Sequence, residues 1–259
     1  MSIKPNRNFQ YVGVVVLLIV SAFFTTAFPL TGKYQHVSVL FIILFALPCY
    51  FGLISTFGRA KAVFLILCMS LFALIVENVA IRTGFPYGRF SYNNIIGITI
   101  GSVPWTVGFA WTPILFGAFS LTRKLASRKS YVFRLCSTAV LMTSLDVVLD
   151  PGSVGLGFWT WENTTGFYSV PWSNFLGWLL SSFVGAVVLE YVLKRLDVSS
   201  KKISDWTHSS FFGMLLFWVA VCFFLEYWFA FLFGVIFAIA LWRMSVNKSG
   251  LGKTVQLSS

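Results

Sequence analysis

The sequence predicts an all-α fold, a polytopic transmembrane helical bundle of about eight spans with both termini cytoplasmic, and three observations carry that prediction. Of the 259 residues, 58% are hydrophobic and 19% aromatic, while only 10% are charged, against roughly 25% in a soluble domain. Apolar stretches recur that match the roughly 20 residues a helix needs to cross a hydrocarbon core of about 30 Å. The basic residues are divided between alternate loops, as the positive-inside rule requires.

Taken in chain order, the spans fall at about 10–30, 36–56, 61–81, 103–122, 131–150, 172–193, 208–225 and 227–243. The last two are separated only by Glu226 and Tyr227, the one polar break in residues 208–243 from which a tight turn can be made. Charge decides between seven and eight spans. With eight, the inner segments hold 16 of the 19 Lys and Arg residues, and only Lys33, Arg82 and Arg89 lie outside. Seven spans would move Arg243, Lys248 and Lys253 to the outer side. Residues 1–247 therefore read as one integral membrane domain, and 248–259 as a polar tail expected to be disordered.

The net charge of +11 is accounted for by these inner loops and by anionic lipid facing them, so nucleic acid is not an expected partner. The lipid bilayer is, and a cell membrane is the expected location. Cys49, Cys68, Cys136 and Cys222 lie singly in four spans without metal-ligand spacing and read as packing residues. His36 and His208 fall at opposite ends of the topology. No bound metal is expected from either set. No lysine stands within the last span, which disfavours a Schiff-base photoreceptor.

All eight acids can be placed. Glu190, four residues before Lys194, reads as one half of a solvated pair, and Asp197 and Asp205 as inner-loop charge. Glu77, Asp146 and Asp150 are different, because each lies near the outer end of an outward-running span. Asp146 and Asp150 are four apart, slightly more than a turn, so they share a face about 6 Å apart along the axis. Pro151 is expected to stop that helix at or before Asp150. Burial, a neighbouring carboxylate and the negative end of the helix dipole act on the pair in one direction, and at least one of the two is expected to retain its proton. An intramembrane acid is a functional candidate by default.

Two outer loops flank these acids, residues 82–105 and 151–178, rich in glycine, proline, tyrosine and tryptophan. Trp159 and Trp161 alternate and would face one side of an extended segment. Such residues form either an aromatic belt at the membrane interface or the wall of a pocket for a transient cation. Asn174, in the first turn of the sixth span, lies level with the acids and either caps its helix or positions a ligand.

ENVAIRTGFPYGRFSY (77–92), VPW (103–105), LDVVLDP (145–151) and FWTWENTTGFYSVPWSNFLGW (158–178) together resemble the membrane carotenoid-biosynthesis family that includes the CruF-type carotenoid hydratases. The resemblance covers about residues 60–195. Phe90 departs from it, standing where the pattern leads one to expect an aromatic hydroxyl. The resemblance implies addition of water to the terminal double bond of an acyclic carotenoid, leaving a tertiary alcohol. Asp146, Asp150 and Glu77 are then the catalytic candidates, and Trp159, Trp161, Tyr87, Tyr92, Trp105 and Asn174 the substrate-binding ones. The chemistry fits these residue types independently. It needs a protonated acid, a pocket that tolerates a tertiary cation and a held water. No cofactor is implied. The expected partners are a membrane-embedded acyclic carotenoid, entering from lipid, and other enzymes acting on carotenoids. Two other readings stay open at this point: a carotenoid end-group cyclase, which starts from the same cation, and a non-catalytic isoprenoid-lipid binder or transporter.

Overall fold

The computed structural model describes residues 7–28 and 35–256, with side chains described for 12–28 and 36–245; Lys4, Lys33 and residues 257–259 lie outside the described residues. Among the described residues eight helices follow in order: α1 (Arg7–Ala27), α2 (Gln35–Phe57), α3 (Arg59–Thr83), α4 (Val107–Leu125), α5 (Tyr131–Gly155), α6 (Trp172–Arg195), α7 (Trp206–Phe224) and α8 (Trp228–Gln256). Six of them, α2, α3, α5, α6, α7 and α8, are long and apolar enough to cross a membrane, and α1 adds the apolar stretch Val12–Ala27. Helix α8 continues into the segment read as a polar tail.

Helix α4 packs against α2, α3, α5 and α7 and is buried almost continuously from Trp111 to Thr122. The helices around it present two unlike faces. On α3, Ala62, Leu65, Met69, Ala73, Glu77 and Ala80 form a buried stripe at helical spacing. Val63, Leu67, Leu71, Ile75 and Val79 lie on the opposite, exposed face, where they suit lipid. Small residues on the inner stripe let helices approach closely without a hydrophobic drive between them.

Helix α7 ends at Phe224 and α8 starts at Trp228. The turn between them is made by Glu226 at a φ of 60°, with Tyr227 N donating back to Cys222 O at 2.8 Å. The polar break thus does separate two helices.

Three local expectations are corrected. Pro151 does not stop α5, which runs one more turn to Gly155. That turn is closely packed, since a Cβ on Gly152 would lie 2.8 Å from the Trp218 ring, and one on Gly155 2.6 Å from the end of the Leu225 side chain. Glu190 is buried rather than solvated, and Lys194 instead sits over the Tyr131 ring, 4.7 Å from its centroid. Cys136 is exposed, whereas Cys49 and Cys222 are buried as packing residues.

The two outer loops are tied together. Strand β1 (Phe90–Tyr92) pairs antiparallel with β4 (Trp159–Trp161), with Phe90 opposite Trp161 and Tyr92 opposite Trp159. A short hairpin of β2 (Thr99–Ile100) and β3 (Val103–Pro104) follows β1. This ribbon lies at the end of the bundle where α3 and α5 finish and α4 and α6 begin.

Candidate active site

The site is assembled at that end. The buried stripe of α3 delivers Glu77, and on α5 the spacing 146, 150, 153 places Asp146, Asp150 and Ser153 on one face. Relative exposures of 5% for Glu77, 0% for Asp146 and 2% for Asp150 put three carboxyl groups out of contact with solvent. A buried charge is tolerated only where hydrogen bonds compensate it, and each acid has such partners.

Asn174 Nδ2 bridges the two aspartates, 2.9 Å from Asp146 Oδ2 and 2.5 Å from Asp150 Oδ2. The helix N-cap position is taken by Pro171 instead, which leaves this amide to the acids. Asp150 Oδ1 accepts from both tryptophans of β4, from Trp159 Nε1 at 2.6 Å and Trp161 Nε1 at 3.4 Å. Strand alternation thus places both indoles over a single carboxylate. Glu77 Oε2 accepts from the Tyr92 hydroxyl at 3.0 Å. Burial, followed by the charge of Glu77, pushes the Tyr92 hydroxyl well above the ordinary phenol range, so Tyr92 acts as a donor. Asp146 Oδ1 is buried without a hydrogen-bond partner.

Beside these acids lies a cavity that is partly open at the surface. Its walls are mainly aromatic and aliphatic, with Trp111, Trp159, Trp178, Trp218, Phe45 and Phe217 among them, and Glu77 and Tyr92 are among the few polar lining groups. Glu77 is the one carboxyl group among the lining residues; Asp146 and Asp150 sit behind Trp159 and do not line it.

The residues expected at the site separate accordingly. Glu77, Tyr92 and Trp159 line the cavity, and Asp146, Asp150, Asn174 and Trp161 form a hydrogen-bonded layer behind it. Tyr87 is buried, donates to Ser181 Oγ at 3.0 Å and does not line the cavity. Trp105 packs edge-on against Phe109, with ring centroids 5.3 Å apart, also away from it. Phe90 packs on Trp161 at 4.8 Å, so a ring without a hydroxyl suits its position. Sequence reasoning missed Trp111, Trp178 and Trp218, which come from within helices, and Ser38 and Ser153.

The fold and this cavity define an integral membrane protein that sets buried carboxyl groups against an aromatic-walled apolar chamber. The chain belongs to the family described as carotenoid biosynthesis protein, whose profile matches residues 34–241. A relative, the bisanhydrobacterioruberin hydratase of Haloarcula japonica, is 31% identical over 219 residues, which span 81% of this chain and 74% of the relative. No solved structure matches the chain.

Proposed function

We propose that this protein is a carotenoid hydratase of the cell membrane, adding water across the terminal carbon–carbon double bond of an acyclic carotenoid end group. The observation that supports this reading is the position of Glu77, a buried carboxyl group lining a predominantly apolar, aromatic-walled cavity. The similarity to a relative named as a hydratase points the same way.

Protonation of a trisubstituted alkene consumes its π pair, forms one C–H bond and leaves a tertiary cation. A lone pair of water then forms the C–O bond, and the proton it sheds returns to a carboxylate. Proton donation is assigned to Glu77, because it faces the cavity and the aspartates do not. Tyr92, holding Glu77 Oε2, directs the opposite oxygen for that transfer. The faces of Trp159, Trp111 and Trp178 suit a transient cation, since an aromatic ring carries negative potential over its plane. Behind them the Asp146–Asp150 pair supplies negative charge and fixes the indole of Trp159, a preorganised electrostatic role. The step as written balances without a cofactor. A polyene too apolar to travel through water enters from the lipid.

Expression in a bacterium engineered to accumulate acyclic carotenoids, followed by chromatography and mass measurement of the pigments, tests the proposal. A product heavier than the substrate by one water supports it. A new pigment of unchanged mass would identify a cyclase, and unaltered pigment with the protein present in the membrane would leave only binding or transport.

A further inference from the structure

Within the cavity, most polar lining groups are already engaged. The Thr25 hydroxyl donates to Ser21 O at 2.7 Å, the Thr106 hydroxyl to Ile96 O, Tyr92 to Glu77 and Trp159 to Asp150. Among the lining hydroxyl groups, Ser38 and Ser153 are the exceptions. Both line the cavity, both are buried, at 2% and 0% relative exposure, and neither Oγ has a hydrogen-bond partner among the described residues.

Helical spacing explains why both face inward. Ser38, Phe41, Ile42 and Phe45 of α2 follow at intervals of three, one and three, and all line the cavity. Ser153 is one turn beyond Asp150 on the acid-bearing face of α5. Leaving a hydroxyl buried and unpaired costs stability, whereas alanine at either place would suit the surrounding Phe, Trp and Ile side chains.

We infer that Ser38 and Ser153 form the oxygen-binding subsite of the reaction, holding water before the C–O bond forms and the same oxygen, as a tertiary hydroxyl, afterwards. This deepens the hydratase reading and rests on it. Each serine hydroxyl can donate to and accept from that oxygen, and an ordered water in a largely apolar cavity needs such polar partners. Glu77, which lines the same cavity, completes the set by giving the proton to carbon and recovering one from the oxonium. The subsite also bears on outcome, because a cation that meets no oriented oxygen loses a proton and reverts to an alkene.

The test uses membranes containing the full protein, an acyclic carotenoid with isopropylidene ends, and deuterated water. Two signals are read together: hydrated product, and deuterium in the recovered alkene, which reports cation formation without capture. Ser38→Ala and Ser153→Ala are each expected to lower hydrated product about tenfold, while deuterium in the recovered alkene holds or rises. Ser38→Thr, keeping a hydroxyl, is expected to retain more hydration than Ser38→Ala. Wild-type levels of hydrated product in the double alanine variant overturn the inference, as does a parallel fall of both signals in the single variants. Wild-type protein that forms no hydrated product defeats the hydratase reading itself, a distinct result.

Discussion

The indole Nε1 of Trp159 lies 2.6 Å from Asp150 Oδ1, so a cavity-lining ring is aimed by a carboxylate that the cavity does not reach. Replacing Trp159 by Phe keeps an aromatic face and removes this tether. The expected outcome is a fall in hydrated product of about 10- to 100-fold, from a hydrogen bond to a charged group worth about 1.5–3 kcal/mol, with the protein still in the membrane. Pigment chromatography beside a membrane immunoblot checks it; undiminished hydration would show that the ring needs no tether.

Glu77 and the aspartate pair are assigned different work, and single amide substitutions separate them. Glu77→Gln is expected to remove both hydration and deuterium exchange by at least about 100-fold, the lower end of the contribution of a general acid. Asp150→Asn should depress both signals but leave exchange measurable. Exchange that survives in Glu77→Gln and vanishes in Asp150→Asn would hand proton donation to the aspartates.

Asn174 bridges Asp146 and Asp150 through one amide nitrogen. Asn174→Leu removes both hydrogen bonds and leaves two buried acids facing each other, which is expected to cost several-fold in folded protein as well as activity. Asn174→Gln, with its amide one methylene further out, should not restore the bridge. Recovery of detergent-solubilised protein by size-exclusion chromatography measures the first effect.

Tyr92 sets a pH expectation. Its hydroxyl is pushed well above the ordinary phenol range by burial and then by Glu77, and it donates to Glu77 only while protonated. Raising that value extends donation to higher pH, so ionisation of Tyr92 should cause no loss of activity through about pH 9. Activity in membrane vesicles across pH 7 to 9 checks this. An alkaline loss in that window that disappears in Tyr92→Phe would contradict it.

Gly152 lets the last turn of α5 meet α7, and a Cβ there would fall 2.8 Å from Trp218. Gly152→Ala is expected to destabilise the protein by about 1–3 kcal/mol, as overpacking does. Because Trp218 also lines the cavity, activity should fall with stability, read by thermal unfolding in detergent. An unchanged transition would show that the contact yields freely.

Much of this arrangement was legible in the sequence because acids are so scarce in it. Eight acidic residues in 259 leave few alternatives, and helical spacing alone puts Asp146 and Asp150 on one face. The turn at Glu226 was visible for the same reason, as the only polar break in a long apolar run. The cavity walls were not. Trp111 and Trp178 are buried, while Trp172, Trp206 and Trp242 are more than 60% exposed, yet all are equally apolar letters in a membrane sequence. With apolar surroundings on both sides of a helix, hydropathy does not tell inside from outside. The pairing of β1 with β4 was hidden by the sequence separation of 69 between Ser91 and Thr160, and Ser38 and Ser153 by the ordinariness of serine.

The β1–β4 ribbon carries a consequence for anyone recombining this protein with its relatives. Tyr92, on one strand, holds Glu77 of α3, while Trp159 and Trp161, on the other, hold Asp150 of α5. The two strands also fix each other's register. Grafting one loop from a homologue without its counterpart would therefore misalign both anchor points at once. The two loops must be transplanted as a single cassette.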